Sequence, residues 1–85
     1  MIQVREAPAP PSQITGLVAS NIDTNSFTLN WNTSINATSY NIFQGGIKIA
    51  TTTNNYFNVA GLSPGTPYLM EVTAVNSIEE ESARV

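Results

Sequence analysis

Apolar and polar side chains alternate along much of this 85-residue chain, which is the pattern of β-strands that bury one face. Residues 26–32 show it most clearly, because Phe27, Leu29 and Trp31 are separated by polar side chains. Gly, Pro and Asn recur at short intervals, so no stretch is long enough for an amphipathic helix. The pattern therefore predicts an all-β fold.

Seven strands account for the periodic segments, and a glycine pair marks one of the turns between them. Gly45 and Gly46 supply the positive φ values of a tight hairpin between the third and fourth strands. Short strands joined by short loops predict a seven-stranded, two-sheet, immunoglobulin-like β-sandwich. The predicted strands are 14–20, 26–32, 39–44, 47–52, 57–60, a long strand that runs from Tyr68 to Asn76, and 82–85.

The chain divides into a short N-terminal arm and one folded domain. Residues 1–13 are predicted to be an extended, Pro-rich arm or linker, since each proline fixes its own φ and disfavours helix in the preceding residue. Residues 14–85 are predicted to form the domain. In an extended arm, Ile2 and Val4 share one face, and they form a candidate strip for attachment to the sheet edge of a partner protein.

Charged side chains are sparse. They make up 11% of the chain, the net charge is -3, and the three cations, Arg5, Lys48 and Arg84, are scattered. Nucleic acids and anionic lipids are bound by clustered cations, and no apolar run approaches the length of a membrane span. We therefore expect neither a nucleic-acid partner nor membrane insertion, and the polar surface must come from Asn, Thr and Ser.

Residues that carry catalytic chemistry are scarce. The chain has no His and no Cys, which removes the commonest general base and the usual nucleophile systems. Glu79, Glu80 and Glu81 form an acidic run, but consecutive residues point in different directions and lack the spaced oxygen ligands of a calcium loop. The sequence predicts no catalytic residue, no metal site and no cofactor, so we expect that the chain is not an enzyme.

Two aromatic residues are candidates for stacking against a sugar. Trp31 alternates with Phe27 and Leu29, which predicts that it lies in the core. Tyr56 is the better surface candidate, because its neighbour Phe57 takes the inward position. A lone exposed tyrosine also serves simply to cover a sheet.

The second half of the chain resembles the fibronectin type III family. It carries a Leu-x-Pro-x-Thr-x-Tyr spacing that includes Leu62, Pro64 and Tyr68, and Trp31 and Tyr40 fall where that family has its core aromatics. The resemblance covers residues 11–85, and the hairpin is similar to those of bacterial and phage members. It implies the fibronectin type III topology and a corner in which the Tyr68 hydroxyl returns to the backbone.

With this resemblance, we expect a non-catalytic structural or surface-binding module, and the main interpretation is a phage decoration or tail-associated protein. Its partners would be capsid or tail subunits, and it would lie at the virion surface. A Met1 start without an apolar leader favours this interpretation, unless Met1 was added to an excised fragment. One alternative is a spacer or accessory domain of a secreted bacterial carbohydrate-active enzyme, which would place it near polysaccharide outside the cell. Another is a cell-surface adhesion module.

Overall fold

The computed structural model describes residues 9–85, so the predicted attachment residues Ile2 and Val4 lie outside the described part of the chain. The strands are β1 (Val18–Ser20), β2 (Phe27–Asn30), β3 (Ser39–Gln44), β4 (Ile47–Thr52), β5 (Tyr56–Val59) and β6 (Met70–Val75). They form two antiparallel sheets of three strands, a first sheet in the order β1-β2-β5 and a second in the order β4-β3-β6. The predicted all-β sandwich of two sheets is confirmed, with six strands among residues 9–85 in place of seven.

Inward-facing side chains of the two sheets form the core between them. Their alternation with outward-facing residues fixes the register, since Leu29 lies opposite Phe57 in the first sheet and Ile42 lies opposite Val72 in the second. The buried core residues are Ile14, Leu29, Trp31, Tyr40, Ile42, Val59, Val72 and Ala74.

The hairpin between β3 and β4 turns at the predicted glycine pair. Gly45 and Gly46 have φ values of 59° and 85°, which are costly for residues with a Cβ. On β4 the register shifts, because Ile42 pairs with Ala50 whereas Phe43 pairs with Lys48. The extra residue makes a β-bulge, which increases the local twist of this edge.

The predicted seventh strand, residues 82–85, does not form a regular strand. Val72 and Val85 exchange two backbone hydrogen bonds (3.1 and 3.3 Å), and the Ser82 N–H donates to the Ala74 carbonyl (2.8 Å). The Ala74 N–H, however, donates to the Ser82 hydroxyl (2.9 Å). Between these two pairings, two residues of the terminal segment oppose the single Thr73. This irregularity breaks the ladder, so the segment lies along β6 without extending the sheet regularly.

The first strand is shorter than the predicted 14–20. Gly16 has a φ of 68°, which interrupts the extended backbone before β1 begins at Val18. A Cβ at Gly16 would lie 2.6 Å from the Asn32 side-chain nitrogen, so a larger residue would also displace the Asn32 side chain. Ile14, on the other side of this break, is still in the core.

Residues 9–13, the described end of the predicted arm, contain no strand and are bonded to the sandwich. Pro11 is buried. The Ser12 N–H donates to the Ile35 carbonyl (3.1 Å), and the Asn76 side-chain amide donates to the Ala9 carbonyl (3.1 Å). These bonds fix the direction in which the chain enters the domain.

Candidate binding surface

The five residues expected in the core and the tyrosine corner have mainly internal contacts. Trp31 and Tyr40 are buried, and their rings meet edge to face with centroids 5.5 Å apart and planes at 64°. Leu62 is half-buried and packs against the core. The Ser63 N–H donates to the Tyr68 hydroxyl oxygen (2.8 Å), across the bend that contains the exposed Pro64.

A second tyrosine holds a loop in the same way, which the sequence analysis missed. The Tyr40 hydroxyl oxygen accepts a hydrogen bond from the Ser34 N–H (3.1 Å), while the ring lies in the core. The available signal was a tyrosine a few residues after a Ser-containing turn, as at Tyr68. Both tyrosines therefore stabilise loops at the ends of the sandwich; Tyr40 is buried, and Tyr68 is half-buried.

The acidic run is engaged in internal hydrogen bonds. Glu80 accepts from the Asn76 side-chain amide (3.0 Å), and Glu81 accepts from the Asn41 side-chain amide. Glu79 has a φ of 66°, and its N–H donates to the Asn76 carbonyl (3.1 Å) in the turn that follows β6. Among residues 9–85, no three His, Cys, Asp or Glu side chains are grouped so that they could hold a metal ion.

The outer face of the second sheet consists of the side chains of β3, β4 and β6 that point away from the core. Although they point outward, Asn41, Phe43 and Thr73 are buried, with exposed fractions of 7%, 5% and 0%. Asn41 lies in a hydrogen-bonded row, since its side-chain oxygen accepts from the Thr51 hydroxyl (2.7 Å) and its side-chain amide nitrogen donates to Glu81. The side chains of Thr51 and Glu81 thus lie beside Asn41 on this face.

Arg84 completes the cover over the second sheet. Its guanidinium carbon lies 3.9 Å from the centroid of the Phe43 ring, which is the geometry of a cation–π contact. The same guanidinium lies 3.8 Å from the Glu71 carboxylate. The part of the second sheet's outer face formed by β3 and β6 is thus covered by the protein's own side chains, whereas Lys48 and Thr51 on β4 stay exposed.

The outer face of the first sheet, by contrast, is uncharged and open to solvent. Strand pairing places its residues in two rows across three strands, with Tyr56 opposite Asn30 and Asn30 opposite Val18 in one row. Adjacent strands lie about 4.8 Å apart, so each row is about 10 Å long. The residues of this first-sheet outer face are Val18, Ser20, Thr28, Asn30, Tyr56 and Asn58.

Hydrogen bonds hold the polar side chains of the first-sheet outer face in place. The Asn30 side-chain amide donates to the Ser20 hydroxyl (2.7 Å), and the Thr28 hydroxyl donates to the Asn58 side-chain oxygen (2.7 Å). Among residues 9–85, the Asn30 Oδ1 and Asn58 Nδ2 atoms have no hydrogen-bond partner. Tyr56 stands at the edge of this polar surface and is 49% exposed.

A groove with a volume of about 530 Å³ opens at one end of the sandwich, beside β1. Its apolar lining residues include Leu17, Ala19 and Met70, together with the strongly exposed Ile22 and Leu69. The groove is mainly apolar but also contains Asp23, and Tyr68 of the tyrosine corner forms part of its lining. Among residues 9–85, no helix is long and apolar enough to cross a membrane.

Comparisons with known proteins place this architecture in one family. The sequence model of the fibronectin type III domain matches residues 9–85. A poly(3-hydroxybutyrate) depolymerase from Ralstonia pickettii is 37% identical over 68 residues, which are 80% of this chain and 14% of the depolymerase. The chitinase Chi52 from Paenibacillus xylanexedens is 32% identical over 78 residues, which are 88% of this chain and 15% of the chitinase.

A solved structure shows the same relation between domain and enzyme. The chitinase ChiA74 from Bacillus thuringiensis contains a region that superposes on 98% of this chain with a TM-score of 0.86 and 28% identity. That region is 14% of the chitinase chain. The chain described here therefore matches a small portion of each of these enzymes.

Proposed function

Because the chain belongs to the fibronectin type III domain family, we propose that it is a non-catalytic accessory domain of an extracellular bacterial enzyme that degrades a polymer. The proposal covers the spacer or accessory role that was an alternative in the sequence analysis. It replaces the phage decoration role as the main interpretation.

One observation carries the proposal: similar sequences are found within enzymes named for the breakdown of polymers. A depolymerase and a chitinase are 37% and 32% identical to this chain, and each is several times longer than the matched segment. Such a segment is a small part of a larger protein, as an accessory domain would be. These relatives are degradative bacterial enzymes, and they offer no support for capsid or tail partners.

The residue content of the chain supports a non-catalytic role within such an enzyme. It lacks His and Cys, and the described carboxylates of Glu71, Glu80 and Glu81 are engaged by Arg84 and by asparagine side chains. The reaction would then be carried out by another part of the same protein, while this domain positions that part or holds the substrate.

The reading frame that encodes this chain provides the first test. We expect a catalytic region in the same frame, joined to this domain by a linker. A frame that contains this domain alone and is flanked by genes for virion structural proteins would contradict the proposal and restore the phage interpretation.

A domain exchange provides the second test. The matching region of the Bacillus thuringiensis chitinase would be replaced by this chain, and the exchange would be compared with a deletion of the same region. We expect the exchanged enzyme to degrade insoluble chitin faster than the deletion, while both hydrolyse a soluble oligosaccharide at the same rate. Equal rates of the two variants on insoluble chitin would argue against an accessory role.

A further inference from the structure

The first-sheet outer face combines neutrality with a fixed set of hydrogen-bonding groups. None of its six residues is charged, although the chain as a whole carries a net charge of -3. A charged polymer would therefore gain no ion pairs there. An uncharged polymer can bind to this face without burying a charged group that lacks a partner. The absence of charged residues on this surface favours a neutral ligand.

Tyr56 supplies the apolar element that such a surface needs. Its side chain is 49% exposed, so an aromatic ring is accessible at the edge of the polar rows. Ring faces pack against the C–H faces of sugars, and a tyrosine contributes large contact area while losing little side-chain entropy. Val18, at the opposite end of the same row, is 57% exposed and adds a second apolar contact.

Two amide groups accompany these apolar residues, Asn30 between them in the same row and Asn58 in the neighbouring row. Asn30 is held by Ser20, and Asn58 is held by Thr28, so the side chains lose little freedom when a ligand binds. Each amide keeps one polar atom without a partner among residues 9–85, an acceptor on Asn30 and a donor on Asn58. A ligand that satisfies both atoms must offer donors as well as acceptors.

From this combination we propose that the first-sheet outer face binds an uncharged polysaccharide chain, with Tyr56 stacked against a sugar ring and Asn30 and Asn58 bonded to its polar groups. The inference rests on the proposed accessory function and assigns the substrate-holding part of it to one surface. Hydroxyl and N-acetyl groups supply both donors and acceptors, as the two amides require.

A polyester is a poorer match for this surface. The backbone of poly(3-hydroxybutyrate) offers ester oxygens as acceptors but no O–H or N–H donors. The Asn30 side-chain oxygen would lose its water when the polyester covers it and would gain no donor in return. An acceptor that is buried without a partner costs free energy of binding. The likeness to a depolymerase therefore extends to the domain type, while the chemistry of the face favours a polysaccharide.

Sedimentation with insoluble chitin tests the inference on the 85-residue chain itself. Four proteins are compared: the original chain, Tyr56→Ala, Tyr56→Phe and Ile78→Ala. Ile78 is 51% exposed but lies after β6, away from the first-sheet outer face, so its variant matches Tyr56→Ala in exposure. Fluorescence of Trp31, the single tryptophan, reports whether each variant is folded.

We expect the original chain and Ile78→Ala to bind chitin equally, and Tyr56→Ala to bind about tenfold more weakly, the loss typical of truncating an aromatic anchor. Tyr56→Phe keeps the ring and should retain most of the affinity. Absence of binding to chitin, equal binding by Tyr56→Ala, or preferential binding to poly(3-hydroxybutyrate) granules would each overturn the inference. None of these outcomes alters the reading-frame test, so the accessory function stands or falls separately.

Discussion

Each sheet of the sandwich turns one face toward the core and one away from it, and the two outward faces differ in what covers them. Phe43 points outward from the second sheet and is 5% exposed, whereas Tyr56 points outward from the first sheet and is 49% exposed. The difference comes from the C-terminal segment, which lies along β6 and carries Glu81 and Arg84 over the second sheet. An outward-facing aromatic residue is available to a ligand only where no neighbouring segment covers it.

The largest expected effect comes from breaking the core that both faces share. Trp31→Ala removes a buried ring that packs against Tyr40 and should lower the free energy of unfolding by about 3–5 kcal/mol. Since small domains have little stability to spare, a large unfolded population is expected at room temperature. Chemical denaturation followed by circular dichroism measures the change. An unchanged midpoint would mean that Trp31 does not hold the sheets together.

Truncating the two outward-facing aromatics separates the two faces directly. Phe43→Ala should cost about 3 kcal/mol, because the ring is enclosed by Arg84 and its neighbours. Tyr56→Ala should change the unfolding free energy by about 0.5 kcal/mol or less, as exposed substitutions usually do. Urea midpoints of the two variants provide the comparison. Similar losses in both would show that the two faces are equally structural.

Much of this fold could be predicted from the sequence, because it depends on local patterns. The hairpin follows from Gly45 and Gly46, and the inward faces of β2 and β6 follow from alternation. The irregular end of the chain could not be predicted, because the Ser82 hydroxyl replaces a backbone acceptor and a strand pattern contains no sign of this.

The difference between the two outer faces was equally hidden. Phe43 and Tyr56 both occupy outward positions in short strands, and the pattern alone gives them the same status. The residue that covers Phe43 is Arg84, which lies far away along the chain and joins it only through the pairing of the C-terminal segment with β6. Alternation of apolar and polar residues identifies faces, but it cannot identify contacts of this range.

Removing the C-terminal cover should sharpen the comparison further. Deleting residues 82–85 eliminates three backbone hydrogen bonds to β6 and the Arg84 contact over Phe43. We expect a loss of about 2 kcal/mol in the free energy of unfolding, given the net value of each hydrogen bond. Arg84→Ala in the full chain is the control, with a loss of about 1 kcal/mol or less. A deletion that leaves the thermal melting temperature unchanged would contradict the assigned role of this segment.

The smallest effect is expected from two threonines on opposite faces. Thr73 is fully buried, and its hydroxyl has no hydrogen-bond partner among residues 9–85. Thr73→Val keeps the shape and removes an unsatisfied polar group, so stability should be unchanged or higher by up to about 1 kcal/mol. Thr28→Val is the matched control and removes the bond to Asn58. If Thr73→Val proves the more destabilising of the two, then the Thr73 hydroxyl has a partner.

A titration of the isotope-labelled chain with a soluble chitin oligosaccharide, followed by backbone amide chemical shifts, tests the central claim most directly. The account predicts that the amide shifts change along the first-sheet outer face, at Thr28, Asn30, Tyr56 and Asn58. The amide shifts of β3 and β6 in the second sheet should stay unchanged. Changes centred on the second sheet or on the groove at Ile22 and Leu69, or no changes at all, would contradict it.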